Sequence, residues 1–211
     1  MTWSEAKDVL AGRGLLSGSA EPVSVPGSVT GVACDSRKVE SGAIFVALKG
    51  QHADGIRFVE QAVARGAAGV VCEEAGPASE AIPWLTVTDA RLALALLAAE
   101  VHGHPSRALQ TIGITGTNGK TTTAHVIASI FEAAGLPCGV LGTVGYRVGS
   151  DVREAAHTTP EAPDVQALIR EMVDHGCRAC VMEVSSHALA LRRVDGMHFA
   201  AGVFTNLTRD H

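Results

Sequence analysis

Hydrophobic and polar positions divide the chain into short apolar runs and longer amphipathic stretches of helical period. Thr2-Trp3-Ser4-Glu5 has the spacing of a capping box and predicts a short helix ending near Gly12. Val29–Cys34 and Ala43–Leu48 read as strands. Phe58–Arg65 reads as a helix closed by Gly66. Gly69–Cys72 and Trp84–Val87 are short apolar runs of strand length, and Asp89 caps a strongly apolar helix that reaches about Val101. Gly103-His104-Pro105-Ser106 interrupts the pattern, which places a boundary between residues 1–106 and residues 107–211.

The second segment repeats the logic. A strand at Thr111–Thr115 runs into a glycine-rich turn and a long helix from about Lys120 to Ala134, ended by Gly135 and Pro137. Val140–Thr143 and Val144–Val148 are extended, and Ala162–His175 is a helix. Ala179–Val184 and Ala200–Thr205 read as buried strands without alternation. Strands alternating with helices predict an α/β fold with a mainly parallel sheet covered on both faces. The sequence ends at His211, just after a strand that nothing further along covers, so an apolar sheet edge is expected there.

Composition narrows the function classes. Of the 211 residues 46% are hydrophobic and only 4% aromatic, so Ala, Val and Leu must fill the core. The net charge of -5 and the lack of a basic stripe argue against a nucleic-acid binder. The apolar run Leu92–Val101 is too short to span a membrane, and the N-terminus shows no secretory pattern. The five cysteines, with only Cys177 and Cys180 close together, are expected to be reduced and mostly buried, which fits a cytoplasmic protein.

The most informative stretch is Gly116-Thr117-Asn118-Gly119-Lys120-Thr121-Thr122, which joins an apolar strand to a helix. Gly116 and Gly119 let backbone N–H groups approach phosphate oxygens, and the helix start points its positive end at them. Lys120 can reach the β- and γ-phosphates of ATP, and the Thr121 hydroxyl can ligate Mg²⁺. Two residues separate Gly116 from the Gly-Lys pair where the general phosphate loop has four, so this is a variant loop. Glu183 ends one strand and His211 lies just beyond another, at the carboxyl ends where open parallel sheets place their ligands, and both could join Lys120 beside the γ-phosphate. Ser185-Ser186-His187 lacks the glycines of a nucleophile elbow, which disfavours a hydrolase. The Asp-x-x-Gly and Asn-Lys-x-Asp signatures of a GTPase are absent.

Together these stretches resemble the Mur ligases. The phosphate loop is similar to their ATP loop. Asp35-Ser36-Arg37, Gly42–Gly50 and Asp54-Gly55 resemble their N-terminal nucleotide-sugar-binding domain. Thr158-Thr159-Pro160, Met182–His187 and Thr205–His211 resemble the branch that adds the third residue of the peptide stem in peptidoglycan synthesis. The resemblance implies a small N-terminal α/β domain followed by the first part of a P-loop-type ATPase domain. It implies a reaction in which ATP phosphorylates a carboxylate of UDP-N-acetylmuramoyl-L-alanyl-D-glutamate, and the amine of a diamino acid (meso-diaminopimelate or L-lysine) attacks the acyl phosphate. By the same resemblance, Gly116 to Thr122 bind ATP, and Lys120, Glu183 and His211 are catalytic. Thr121, Glu183 and His211 hold Mg²⁺. Ser36 with Gln51, His52 and Ala53 contacts the uridine nucleotide, and Thr158, Thr159, Ser185 and Arg193 contact the muramoyl-peptide. His157 and Leu191 stand where some members have Asn and Gln, and Leu191 reads as packing. The family's modified lysine and its amino-acid-binding domain have no counterpart in these residues. The expectation is therefore a front portion, inactive alone or completed by another chain, with a non-catalytic nucleotide or UDP-sugar-binding module as the alternative.

Overall fold

The computed structural model describes residues 1–20, 27–50, 54–76 and 82–208, and it divides into two compact units, Met1–Val101 and His102–His211. The first unit opens with α1 (Trp3–Gly12), whose Thr2 side chain and Glu5 side chain form the expected capping box. Then come β1 (Leu16–Ala20), β2 (Gly31–Ala33), β3 (Ala43–Val46), α2 (Val59–Ala64), β4 (Gly69–Cys72), β5 (Trp84–Val87) and α3 (Ala90–Val101). The strands order as β1-β5-β4-β3-β2, parallel except for β1, which pairs antiparallel with β5. Phe45, Val70 and Trp84 pack with Ala62 of α2. Alternate residues such as Ile44 and Val71 are fully buried on the other face, and α3 packs along β2, β3 and β4. Trp3 of α1 lies over Gly69, where a β-carbon would come within 2.3 Å of its ring.

The second unit contains β6 (Gln110–Thr115), α4 (Lys120–Ala133), β7 (Cys138–Leu141), β8 (Tyr146–Val148), β9 (Asp151–Arg153), α5 (Ala162–Asp174), β10 (Ala179–Glu183), α6 (Ser186–Ala190) and β11 (Ala201–Phe204). Its sheet runs β11-β6-β10-β7-β8-β9, with β11, β6, β10 and β7 parallel and β8 and β9 antiparallel. Strand β10 is buried on both faces. Cys180 and Met182 face α5 with Ile169 and Met172, while Ala179 and Val181 face α4 with Ala124 and Ala128. This two-sided burial explains its unbroken apolar sequence.

Strand β11 departs from the expectation of a buried strand. It is mostly exposed, and Phe204 keeps 63% of its surface accessible. Among the described residues it pairs on one side with β6 and lies at the sheet edge, so its apolar run has one strand beside it. Beside it Gly113, Leu189, Val194, Phe199 and Phe204 line an apolar groove of about 330 Å³. None of the five cysteines forms a disulfide, and Cys177 and Cys180 are both core residues. Among the described residues no helix is long and apolar enough to cross a membrane.

Candidate functional site

The parallel register of β6 and β10 pairs Ile114 with Glu183, so the phosphate loop and Glu183 leave the sheet at the same level. The loop after β6 then turns sharply. Gly116 has φ +132°, and a β-carbon there would lie 2.2 Å from Thr205 Oγ1, so both conformation and space require glycine. Gly119, with φ +81°, caps the start of α4, whose first N–H groups have no partner within the helix. That start is a natural place for an anion.

Lys120 is held over the loop. Its Nζ donates to the carbonyls of Gly116 (2.7 Å) and Thr117 (2.9 Å). The segment after β11 clasps the loop from the side. Asn206 accepts the Asn118 N–H on its side-chain oxygen (3.1 Å) and donates its amide to the Asn118 carbonyl (3.0 Å). The Thr117 N–H reaches the Asn206 carbonyl at 3.0 Å, and Thr205 Oγ1 donates to the Asn118 carbonyl at 2.7 Å. Thr208 bonds Thr117 and Asn118 as well. The Thr-Asn-Leu-Thr run was singled out in the sequence for family likeness alone. Its role as a clasp depends on contacts between residues about ninety apart, and no local pattern signals them.

Glu183 is 2% exposed at the end of β10. Its Oε2 accepts the Thr121 hydroxyl at 3.0 Å, and its Oε1 accepts the Thr143 N–H at 2.9 Å. The Thr143 hydroxyl also reaches Oε2 (3.2 Å) and lies 3.0 Å from Thr158 Oγ1. A β-carbon at Gly142 would fall 2.3 Å from Oε1, so the turn after β7 fits closely around this carboxylate. The sequence reading named Thr121, Glu183 and Thr158 but missed Thr143. A Gly-Thr pair after a short strand looks like any turn.

Thr121 and Glu183 thus place two oxygens 3.0 Å apart at the start of α4, a hard-donor set that suits Mg²⁺. Among the described residues no cluster of three or more His, Cys, Asp or Glu side chains could hold a metal. His211, the third residue expected at the metal, lies outside the described residues, as do Gln51, His52 and Ala53.

The remaining candidates form a connected group beside Glu183. Thr159 Oγ1 donates to the Glu183 carbonyl (2.9 Å) and accepts the Ser185 N–H (3.1 Å). Ser185 Oγ accepts the Ala188 N–H at 3.1 Å as the N-cap of α6, so it serves the helix rather than a neighbouring histidine. Arg193 donates to the Thr159 carbonyl (2.9 Å) and pairs with Glu161 (2.6 Å), while its buried Nε has no partner among the described residues. Ser36 is a buried residue of the first unit. Its Oγ donates to Gln61 Oε1 at 2.6 Å, and Asp35 caps the same turn through the Arg37 N–H. The adjacent Arg37 guanidinium pulls the Asp35 carboxyl down to about 2. Gly55 meets the β3 exit so closely that a β-carbon would lie 2.6 Å from the Leu48 nitrogen. This contact brings the Gly42–Gly50 and Asp54-Gly55 stretches together.

Comparison with known proteins agrees with this arrangement. Residues 28–102 match the pattern described as Mur ligase family, catalytic domain, and residues 114–211 match the Mur ligase middle domain. The UDP-N-acetylmuramoyl-L-alanyl-D-glutamate--2,6-diaminopimelate ligase of Geobacter sulfurreducens is 51% identical over 195 residues, covering 90% of this chain and 38% of its own length. The protein of that name from Chlorobaculum tepidum is 47% identical over 209 residues, covering 99% of this chain and 41% of its own. A solved structure of a ligase of that name superposes with a TM-score of 0.78 at 28% identity, over all of this chain and 41% of that one. The chain therefore spans about two-fifths of the length of these relatives. With both matched regions in the family's order and about half its residues shared with such relatives, the chain belongs to the Mur ligase family.

Proposed function

We propose that this chain supplies the ATP site and the UDP-sugar-binding part of a ligase that extends UDP-N-acetylmuramoyl-L-alanyl-D-glutamate by a diamino acid. The observation that carries this reading is the convergence of Lys120, Thr121 and Glu183 at one helix start, with Thr158, Thr159 and Arg193 beside them. Its relatives are named for 2,6-diaminopimelate, which makes that diamino acid the first to test.

The chemistry follows from the charges involved. A carboxylate resists attack by an amine. Transfer of the γ-phosphoryl group to the substrate's carboxylate releases ADP and leaves an acyl phosphate. The amine then attacks the acyl carbon, the C–O bond to phosphate breaks, inorganic phosphate departs, and the amine's proton is lost to give the amide. The N–H groups at the start of α4, beyond the two of Thr117 and Asn118 that Asn206 takes, would meet the phosphates, and Lys120 would bring a fixed cation to the transferring group. Thr121 and Glu183 would hold Mg²⁺, joined by His211, and the ion would neutralise charge on the phosphates. Thr158, Thr159, Ser185 and Arg193 would orient the muramoyl-peptide. Ser36 with Gln51, His52 and Ala53 would bind the uridine nucleotide in the N-terminal domain. Such a protein would work in the cytoplasm, where UDP-sugar precursors and ATP meet.

The test is a binding measurement on the purified chain. Lys120→Ala should weaken ATP–Mg²⁺ binding by on the order of a hundredfold, the scale of losing a key cation at a phosphate site. Wild-type affinity in that variant would refute the phosphate-loop assignment. A second reading rests on the share of the relatives covered: the 211 residues alone bind both ligands without completing the ligation. Multiple-turnover amide formation by this chain alone would exclude it.

A further inference from the structure

We propose that Thr143 is a positioning residue that sets the Glu183 carboxylate for a cation at Thr121. The inference rests on the ATP–Mg²⁺ reading of this site and adds to it a residue outside both the phosphate loop and β10. Thr143 grips both carboxylate oxygens, through its N–H on Oε1 (2.9 Å) and its hydroxyl on Oε2 (3.2 Å). Two donors from one residue fix the plane of a carboxylate that would otherwise rotate about its last bond. Gly142 makes this possible, because a side chain there would collide with Oε1.

The protons in this cluster can be assigned from donor and acceptor capacity alone. A carboxylate only accepts, so the Thr121 and Thr143 hydroxyls both direct their single proton at Oε2. Thr143 has then spent its proton, and the 3.0 Å contact with Thr158 must run from the Thr158 hydroxyl to Thr143. The chain of protons points inward from Thr158 through Thr143 to Glu183. Thr121, which has also given its proton to Oε2, keeps lone pairs on Oγ1 for a cation. At the near end, Thr158 likewise presents only lone pairs and would take an N–H or O–H from a muramoyl-peptide. Thr143 is the residue that joins Thr158 to the carboxylate.

The experiment compares variants by the affinity of the protein for a non-hydrolysable ATP analogue at a series of Mg²⁺ concentrations and in EDTA. The quantity read is the ratio of affinities with and without Mg²⁺, which a general loss of packing does not move. Thr143→Val keeps the shape and deletes the hydroxyl. It is expected to raise the Mg²⁺ concentration for half-maximal effect by roughly 10- to 100-fold, as removal of a metal ligand's orienting partner does. Thr143→Ser, which restores the hydroxyl, should return to within about twofold of wild type. Should the valine variant fail to fold, Thr143→Ala against Thr143→Ser carries the same comparison, because both lack the methyl group. An unchanged Mg²⁺ response in Thr143→Val, or equal impairment with and without the hydroxyl, overturns the proposal. Lys120→Ala in the same buffers separates the two readings. Reduced binding there with an unaltered Mg²⁺ response in the valine variant removes the role of Thr143 and leaves the phosphate loop in place.

Discussion

Strands β10 and β11 look alike as sequence and differ as structure. Ala-Cys-Val-Met-Glu and Ala-Gly-Val-Phe are both short apolar runs, yet the first is buried at every position and the second is largely exposed. Strand β10 has β6 and β7 as neighbours and a helix on each face, whereas among the described residues β11 has only β6 beside it. An apolar run records what a strand could bury. Its neighbours decide what it does bury. The functional consequence follows the same division, since β10 delivers the carboxylate and β11 delivers the clasp on the phosphate loop.

Thiol chemistry should expose the contrast most sharply. Burial pushes the Cys180 thiol far above its ordinary range, so almost none is thiolate at neutral pH. Cysteine placed in β11 by Ala201→Cys should react with a thiol reagent under native conditions on the order of a hundredfold faster than Cys180 or more. Comparable rates would mean that β10 opens as readily as the edge. Core truncation ranks next. Met182→Ala should cost roughly 2–5 kcal/mol in denaturant unfolding, because a fully buried side chain leaves a cavity between β10 and α5. The smallest effect belongs to the edge, where Phe204→Ser should change stability by about 0.5 kcal/mol or less. A loss there as large as that of Met182→Ala would show that β11 is covered in solution.

Much of the fold could be read from local pattern. The capping box at Thr2, the cap at Asp89 and the strand–loop–helix around Gly116 each carry their own cause in neighbouring residues. The elements that escaped notice have none. Strand β1 is Leu-Ser-Gly-Ser-Ala, whose alternation is carried by small, weakly apolar residues, and it is extended because β5 lies beside it. Strand β9 is Asp-Val-Arg, exposed at all three positions and held by the hairpin with β8. Helix α6 is one turn started by Ser185. The site divides in the same way. The loop glycines, Lys120 and Thr121 carry a phosphate-loop pattern in their own spacing, whereas Glu183 is marked only by its place at a strand's carboxyl end and by family resemblance. Thr143 and Asn206 carry no such local pattern, because their partners lie 40 and 88 residues away.

That last separation bears on how the protein is made. A chain leaves the ribosome from its N-terminus, so the phosphate loop emerges well before the segment that clasps it. Until Asn206 follows, the carbonyl of Asn118 lacks the amide that meets it in the finished molecule, and Gly116 lacks the threonine that fills the space beside it. The final form of this loop is therefore a late product of folding during synthesis, shaped only once both ends of an 88-residue interval can meet.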